Sequence, residues 1–184
     1  MIDRNLILEN ESVRLAPIAE EDFQNLMLLT DVPSLWTYFT YNLSIPEEFM
    51  EWANQALEGQ RLQFSVWDKN INQLVGSTAF GNYSERDRRI EIGWTWLGAE
   101  FHGTGINRVM KLLMLEYCFE KLKLKRVEIK TDVLNIPARK ALVKLGAVEE
   151  GVLRSHTLLA NGRRRDTIYY SVLSSEWETI RRKM

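Results

Sequence analysis

Residues 94–123 constrain the fold of this chain more than any other stretch. Trp94-Thr95-Trp96-Leu97-Gly98 reads as the end of an extended run, Ala99-Glu100-Phe101-His102-Gly103-Thr104-Gly105-Ile106-Asn107 as a glycine loop, and Arg108 to Lys123 as a helix. That helix is apolar on most sides, with Glu116, Glu120 and Lys123 as its one solvated stripe, so it must lie buried against a sheet. Strand, loop and helix are thereby committed to one layered packing. Gly103 and Gly105 allow several backbone N–H groups to converge on one point, where unpaired amides and the positive helix end favour an anion such as a pyrophosphate. The same residues also fit a plain tight turn with Asn107 as helix N-cap. Two other phosphate loops do not fit: a Walker loop needs Gly-Lys-Ser/Thr where Gly105-Ile106-Asn107 stands, and a dinucleotide fingerprint needs a third glycine where Arg108 stands.

Periodicity around this segment predicts the remaining elements. Val13 and Leu15 alternate with Ser12 and Arg14 as a strand ended by Pro17, and Glu20 to Leu29 has helical spacing. Pro46 opens a second helix, with Phe49, Trp52 and Ala53 on one face and Gly59 as its stop. Strands follow at Leu62 to Trp67, Leu74 to Phe80 and Arg89 to Leu97, separated by turn signals at Asp68-Lys69-Asn70 and Gly81-Asn82-Tyr83-Ser84. In the third run Ile90, Ile92, Trp94 and Trp96 form an apolar face opposite Glu91, Gly93 and Thr95, and Gly93 hints at a bulge. A strand through Val127, Ile129 and Thr131, a helix from Pro137 to Leu145 stopped by Gly146, and strands Val152 to Leu159 and Thr167 to Leu173 around Asn161-Gly162 complete the chain. The order β-α-α-β-β-β-α-β-α-β-β points to an α/β fold: one mixed, mainly antiparallel sheet flanked by helices.

Composition excludes several functions. With 184 residues, 45% of them hydrophobic, residues 1–184 are expected to form a single domain. Lys plus Arg (24) balance Asp plus Glu (25), so no field gathers phosphate backbones and nucleic acid is not the expected partner. One cysteine, Cys118, and two histidines, His102 and His156, argue against disulfides and metal ligation. Met1-Ile2-Asp3-Arg4-Asn5 lacks the features of a signal peptide and no apolar stretch has membrane-spanning length, so a cytoplasmic protein with no membrane partner is expected.

Leu97 through Asn107 with the apolar helix, Lys125-Arg126-Val127-Glu128, Thr131-Asp132-Val133-Leu134-Asn135, Ala141-x-x-Lys144-Leu145-Gly146-Ala147, Glu150-Gly151-Val152-Leu153-Arg154 and Arg165-Asp166-Thr167-x-x-Tyr170-Ser171 together resemble GNAT acetyltransferases, most of all the RimJ/RimL-type ribosomal-protein N-acetyltransferases. The resemblance spans about Leu8 to Trp177. It implies a splayed sheet in which acetyl-CoA wedges between two parting strands, an amine acceptor such as a protein N-terminus or a small molecule, and the possibility of a homodimer. It also implies that the loop His102, Gly103, Thr104, Gly105, Ile106 and Asn107 binds the cofactor diphosphate. The family pattern Gln/Arg-x-x-Gly-x-Gly/Ala is kept only at Gly105, because His102 and Asn107 depart from it.

By the same resemblance Trp96, Leu97 and Gly98 pair with the pantetheine arm, and the Leu97 amide is the oxyanion contact. Asn135 and Arg139 complete the expected cofactor set. Pro137 favours Ile136 as the cap of the following helix, which leaves the Asn135 amide free for a ligand; helix capping by Asn135 itself is the alternative. An amine must arrive neutral, so a carboxylate is a natural general base. Glu91 is the candidate, facing away from Ile90 and Ile92, against the alternative of a surface carboxylate paired with Arg88 or Arg89. His156 and Tyr170 are secondary proton carriers. Many relatives carry a hydroxyl residue where Ala138 stands, so the usual general acid is missing. Trp36-Thr37-Tyr38-Phe39-Thr40-Tyr41 reads as core or lid rather than substrate wall, although residues 36–52 are expected to shape the acceptor pocket. A non-catalytic acyl-CoA sensor or scaffold is the competing function.

Overall fold

A computed structural model describes residues 2–182. Eight strands form one sheet: β1 (Leu8–Glu9), β2 (Val13–Pro17), β3 (Leu62–Asp68), β4 (Gln73–Ser84), β5 (Arg89–Leu97), β6 (Arg126–Asp132), β7 (Val148–Leu158) and β8 (Arg164–Leu173), in the order β1-β2-β3-β4-β5-β6-β8-β7. Every neighbouring pair is antiparallel except β5 and β6, which run parallel. The helices are α1 (Phe23–Thr30), α2 (Pro46–Leu57), α3 (Ile106–Glu116), α4 (Ile136–Leu145) and α5 (Trp177–Arg181). The expected order is therefore present, with the two-residue β1 and the short α5 added. Neither is long enough to show a period in sequence.

Two local features redirect the chain. Gly81-Asn82-Tyr83-Ser84, expected as a turn, stays within β4: Gly81 pairs with Glu91 and Ser84 with Arg89, and the turn falls at residues 85–88. Cross-strand pairing overrides the local turn preference, which survives as a register irregularity with Asn82 at φ 51°.

The second feature is a bulge in β5. Ser77 pairs with Trp96 and Ala79 with Gly93, so β5 carries one residue more than β4 across that interval. The positive φ of 50° falls on Trp94 and not on Gly93. The extra residue inverts the alternation and overturns the expected Ile90/Ile92/Trp94/Trp96 face. Ile90 and Ile92 share a face with Thr95, whose hydroxyl meets Lys111 of α3. Trp94 and Trp96 turn to the Glu91 face. There the Trp96 ring meets Trp36 and Trp52 of α2, at 5.6 and 5.9 Å. Gly81 lies across from Glu91, and a Cβ there would come within 2.5 Å of the Trp94 ring, so only glycine fits.

The sheet opens between β5 and β6. Only Arg89–Arg126, Ile90–Val127 and Glu91–Glu128 are in register, and beyond Glu91 the two strands no longer pair.

Candidate active site

A cleft of about 600 Å³ passes through the sheet where β6 leaves β5. On the α3 face it is lined by Gly103, Gly105, Asn107, Lys111, Asn135 and Ala138; on the opposite face by Tyr38–Tyr41, Glu91, Trp94, Lys130, Thr157 and Arg165. The open edge of β5 supplies backbone groups to it. The Gly98 N–H donates to the Val75 carbonyl of β4 at 2.9 Å, so antiparallel alternation turns the N–H and C=O of the neighbouring Leu97 away from β4, toward the side β6 has vacated. The Leu97 carbonyl accepts a hydrogen bond from His102 Nε2 at 3.2 Å, which fixes that ring nitrogen as the protonated one.

The glycine loop ends at the first turn of α3. Gly105, at φ 95°, is the N-cap, in place of the Asn107 cap that the tight-turn alternative proposed. Gly103 also has positive φ, at 78°, and a Cβ at either glycine would meet nothing within 4 Å. The space in front of the loop is thus open; in the first turn the Arg108 N–H is bonded to the Gly105 carbonyl at 2.9 Å and the Ile106 N–H reaches Thr104 Oγ1 only at 3.5 Å, so a helix N-terminus rich in donors borders that space. Asn107 brings a buried side-chain oxygen, Oδ1, that has no partner among the described residues and lines the same cleft. An orphaned polar atom beside an open amide cradle fits a polar ligand.

Glu91 is 3% exposed. Its Oε2 accepts from Lys130 Nζ at 2.9 Å and from Asn82 Nδ2 at 2.7 Å. The expected surface pairing with Arg88 or Arg89 does not occur: Arg88 binds the Lys123 carbonyl, and Arg89 pairs with Asp87 and Glu128. Lys111, on the α3 face, is buried among apolar neighbours, donates to Thr95 Oγ1 at 2.6 Å, and through it joins Thr78. Desolvation lowers its pKa to about 7, against the partial support of the Glu91 charge.

Several expected site residues lie elsewhere or are engaged otherwise. Asn135 caps α4 by accepting from the Ala138 N–H at 3.2 Å, which overturns the assignment of that role to Ile136; the cap holds Oδ1, while the residue still lines the cleft. Arg139 does not face the loop. It turns back to the Val133 carbonyl, the Tyr170 hydroxyl and Glu149. Tyr170 is fully buried, its hydroxyl spent on Glu149 and Arg139, and His156 is hydrogen-bonded to Thr167, so neither stands in the cleft. The side chain of Trp96 leaves for the aromatic cluster with Trp36 and Trp52, and the ring of His102 is occupied by Leu97. Of the aromatic segment, Trp36 is core, and Phe39 and Tyr41 pack against that core, as expected, while together with Tyr38 and Thr40 they also form cleft wall.

Lys111, Lys130 and Arg165 are cleft residues to which the sequence alone assigns no role, although Arg165 stands in the Arg165-Asp166-Thr167 motif. Lys111 had a usable signal, a lone cation between Met110 and Leu112 on the apolar stripe. Lys130 and Arg165 sit in alternating strands where only the three-dimensional pairing of β6 with β8 reveals their common face. Among the described residues no group of three or more His, Cys, Asp or Glu side chains is gathered to hold a metal ion, and no helix is long and apolar enough to cross a membrane.

A parallel strand pair that parts over a helix-end amide cradle defines the class of acyl-CoA N-acyltransferase folds. Residues 12–148 match the acetyltransferase (GNAT) domain family, and the chain belongs to that family. It is 30% identical over 179 residues to YdaF of Bacillus subtilis, covering 94% of this chain and 91% of that one; the name of YdaF assigns it provisionally to ribosomal N-acetyl transfer. The crystal structure of a GCN5-related N-acetyltransferase from Brucella melitensis superposes with a TM-score of 0.90 at 27% identity, covering 97% of this chain and 83% of that one. The ribosomal-protein-S5-alanine acetyltransferase of Vibrio fischeri shares the fold, with a TM-score of 0.75 at 22% identity over 94% of this chain and 98% of that one.

Proposed function

We propose that this protein moves the acetyl group of acetyl-CoA to a primary amine by direct attack, with no covalent enzyme intermediate. The observation that carries this reading is the gap beyond Glu91, where an unpaired strand edge, an amide cradle and a buried carboxylate meet in one cleft. The loop amides at 103–107 would hold the diphosphate, with the orphaned Asn107 Oδ1 as an added polar contact. The β5 edge at Leu97 would pair with the extended amide arm. Acetyl-CoA supplies an acyl group already activated as a thioester.

The Leu97 N–H is a fixed donor for the oxygen on which negative charge grows, and one such donor in a dry site is worth roughly 3 kcal/mol. Glu91 takes the proton from the acceptor ammonium, so that a neutral amine attacks. Lys130 and Asn82 both bind its Oε2 and orient the carboxylate, while Oε1 takes neither bond. Ala138 offers no hydroxyl to a departing thiolate. Lys111 lines the same cleft and titrates near neutrality, so it is the protein group we assign to deliver that proton. The name of YdaF, which speaks of ribosomal N-acetyl transfer, favours an amine of a ribosomal component as acceptor.

The test is calorimetric titration with acetyl-CoA followed by a CoA-release screen over N-terminal peptides, amino acids, polyamines and aminoglycosides. Binding together with release for at least one acceptor supports the proposal. Binding without release for any acceptor would make the chain an acyl-CoA sensor, and no binding by folded protein would overturn both readings.

A further inference from the structure

The face of the cleft away from α3 carries more positive charge than acetyl transfer to a simple amine requires. Lys130 and Arg165 line it with Glu91, and the Arg163–Asp132 pair lies close to Arg165, three cations to two carboxylates. Lys130 is paired with Glu91, and Arg163 with Asp132. Arg165 meets no carboxylate within salt-bridge distance among the described residues. It donates from Nε to Thr167 Oγ1 at 3.0 Å and lines the cleft. Strand alternation from Tyr169, which lies opposite Lys130, through Thr167 to Arg165 sets this guanidinium on the same face as Lys130 and hence Glu91.

A partly buried guanidinium without an anion is costly to keep. Burial lowers its pKa, and the surrounding carboxylates only partly restore it. With Nε committed to Thr167, the terminal nitrogens still present a planar fork whose geometry matches a carboxylate. The nearby walls, Tyr38, Phe39, Tyr41 and Trp94, are aromatic and give that charge little competition.

Resting on the acetyl-transfer reading above, we propose that Arg165 is a specificity determinant that receives a carboxylate of the acceptor, so that the substrates are amines that also carry an acid. Glu91 attends to the amine end and Arg165 to the acid end. The acid is either the α-carboxylate of a free amino acid or an acidic side chain close behind a peptide N-terminus.

The experiment compares matched acceptors, free phenylalanine against phenylalaninamide and the tripeptide amide Ala-Glu-Ala against Ala-Gln-Ala, by CoA release with wild type, Arg165→Gln and Arg165→Lys. Acetyl-CoA affinity by calorimetry serves as the control for folding. The expected result is a preference of at least 10-fold in kcat/KM for the acid in one pair, expressed in KM. Arg165→Gln should reduce that ratio toward one, and Arg165→Lys should restore it in part. Whichever pair discriminates identifies the source of the carboxylate. Equal efficiency for acid and amide in both pairs, or a preference that survives Arg165→Gln, overturns the proposal. If no acceptor releases CoA, the transfer reading fails by itself, and calorimetric titration of the same four compounds still decides: tighter binding of the acid that is lost in Arg165→Gln upholds the carboxylate site, and equal binding removes it.

Discussion

On the α3 face of the gap, the cleft is lined chiefly by two stretches, residues 103–111 and residues 135–145, the first offering peptide amides and a helix end. On the opposite face it is assembled from side chains of separate segments: Tyr38–Tyr41, Glu91 and Trp94, Lys130, and Thr157 with Arg165. A ligand gripped by backbone tolerates changes of side chain, which is why His102 and Asn107 can stand where the resemblance leads one to expect other residues. A ligand gripped by side chains is redefined by each substitution. The contrast fits one invariant cosubstrate entering from the α3 side and one variable acceptor from the other.

If the two faces divide the work in this way, variants on each should separate binding of acetyl-CoA from turnover. The largest effect is expected for Glu91→Gln, which should lower kcat by roughly 10²- to 10⁴-fold and leave acetyl-CoA affinity intact, as read by steady-state CoA release beside calorimetry. Equal activity would remove Glu91 from the mechanism.

Lys111 sharpens the comparison because it is a buried charged side chain beside the amide cradle on the α3 face. Its folded pKa, about 7, lies below its unfolded value. The unfolded chain therefore binds more protons between pH 7 and about 10, and the penalty for burying this lysine is full below pH 7 and fades as pH rises through that window. Relative to Lys111→Met, wild type should gain up to about 4 kcal/mol of stability between pH 6.5 and 10 in urea denaturation, with the variant the more stable at the acid end. Parallel curves would contradict the depressed pKa.

Gly105→Ala should act in the opposite sense to Glu91→Gln. No neighbour would meet the new methyl group, but φ 95° is strained for an L-residue by about 1–2 kcal/mol, so acetyl-CoA affinity should fall by about 10-fold with a smaller change in kcat at saturation. The smallest effect is expected for His102→Ala. Its ring holds a carbonyl rather than projecting into the loop, and kcat/KM should fall by about 2- to 5-fold, the worth of one hydrogen bond.

The same division governs what could be read from sequence. Strand, glycine loop and buried helix are local, and their periodicities and glycines are enough to place the loop before α3, where Gly103, Gly105 and Asn107 of the six expected residues line the cleft. Glu91 was found because alternation sets it apart from Ile90 and Ile92. The face of Trp94 was misjudged because a bulge adds one residue, and one residue is half a strand period. Pro137 restrains Ile136 and so suggests a free Asn135, yet the helix takes Ile136 into its first turn and is capped from one residue earlier. Lys130 and Arg165 became neighbours only through the pairing of β6 with β8, information that resides in no window of the chain.

The parting of β5 and β6 has one more consequence. Strand edges normally lie at the rim of a sheet, where they must be shielded from stray partners. Here such an edge is sunk inside the molecule, between two layers of helix and loop. Its protection is enclosure: walls on both faces and a volume of about 600 Å³ suit a small-molecule chain of amides and leave no room for a second protein's sheet.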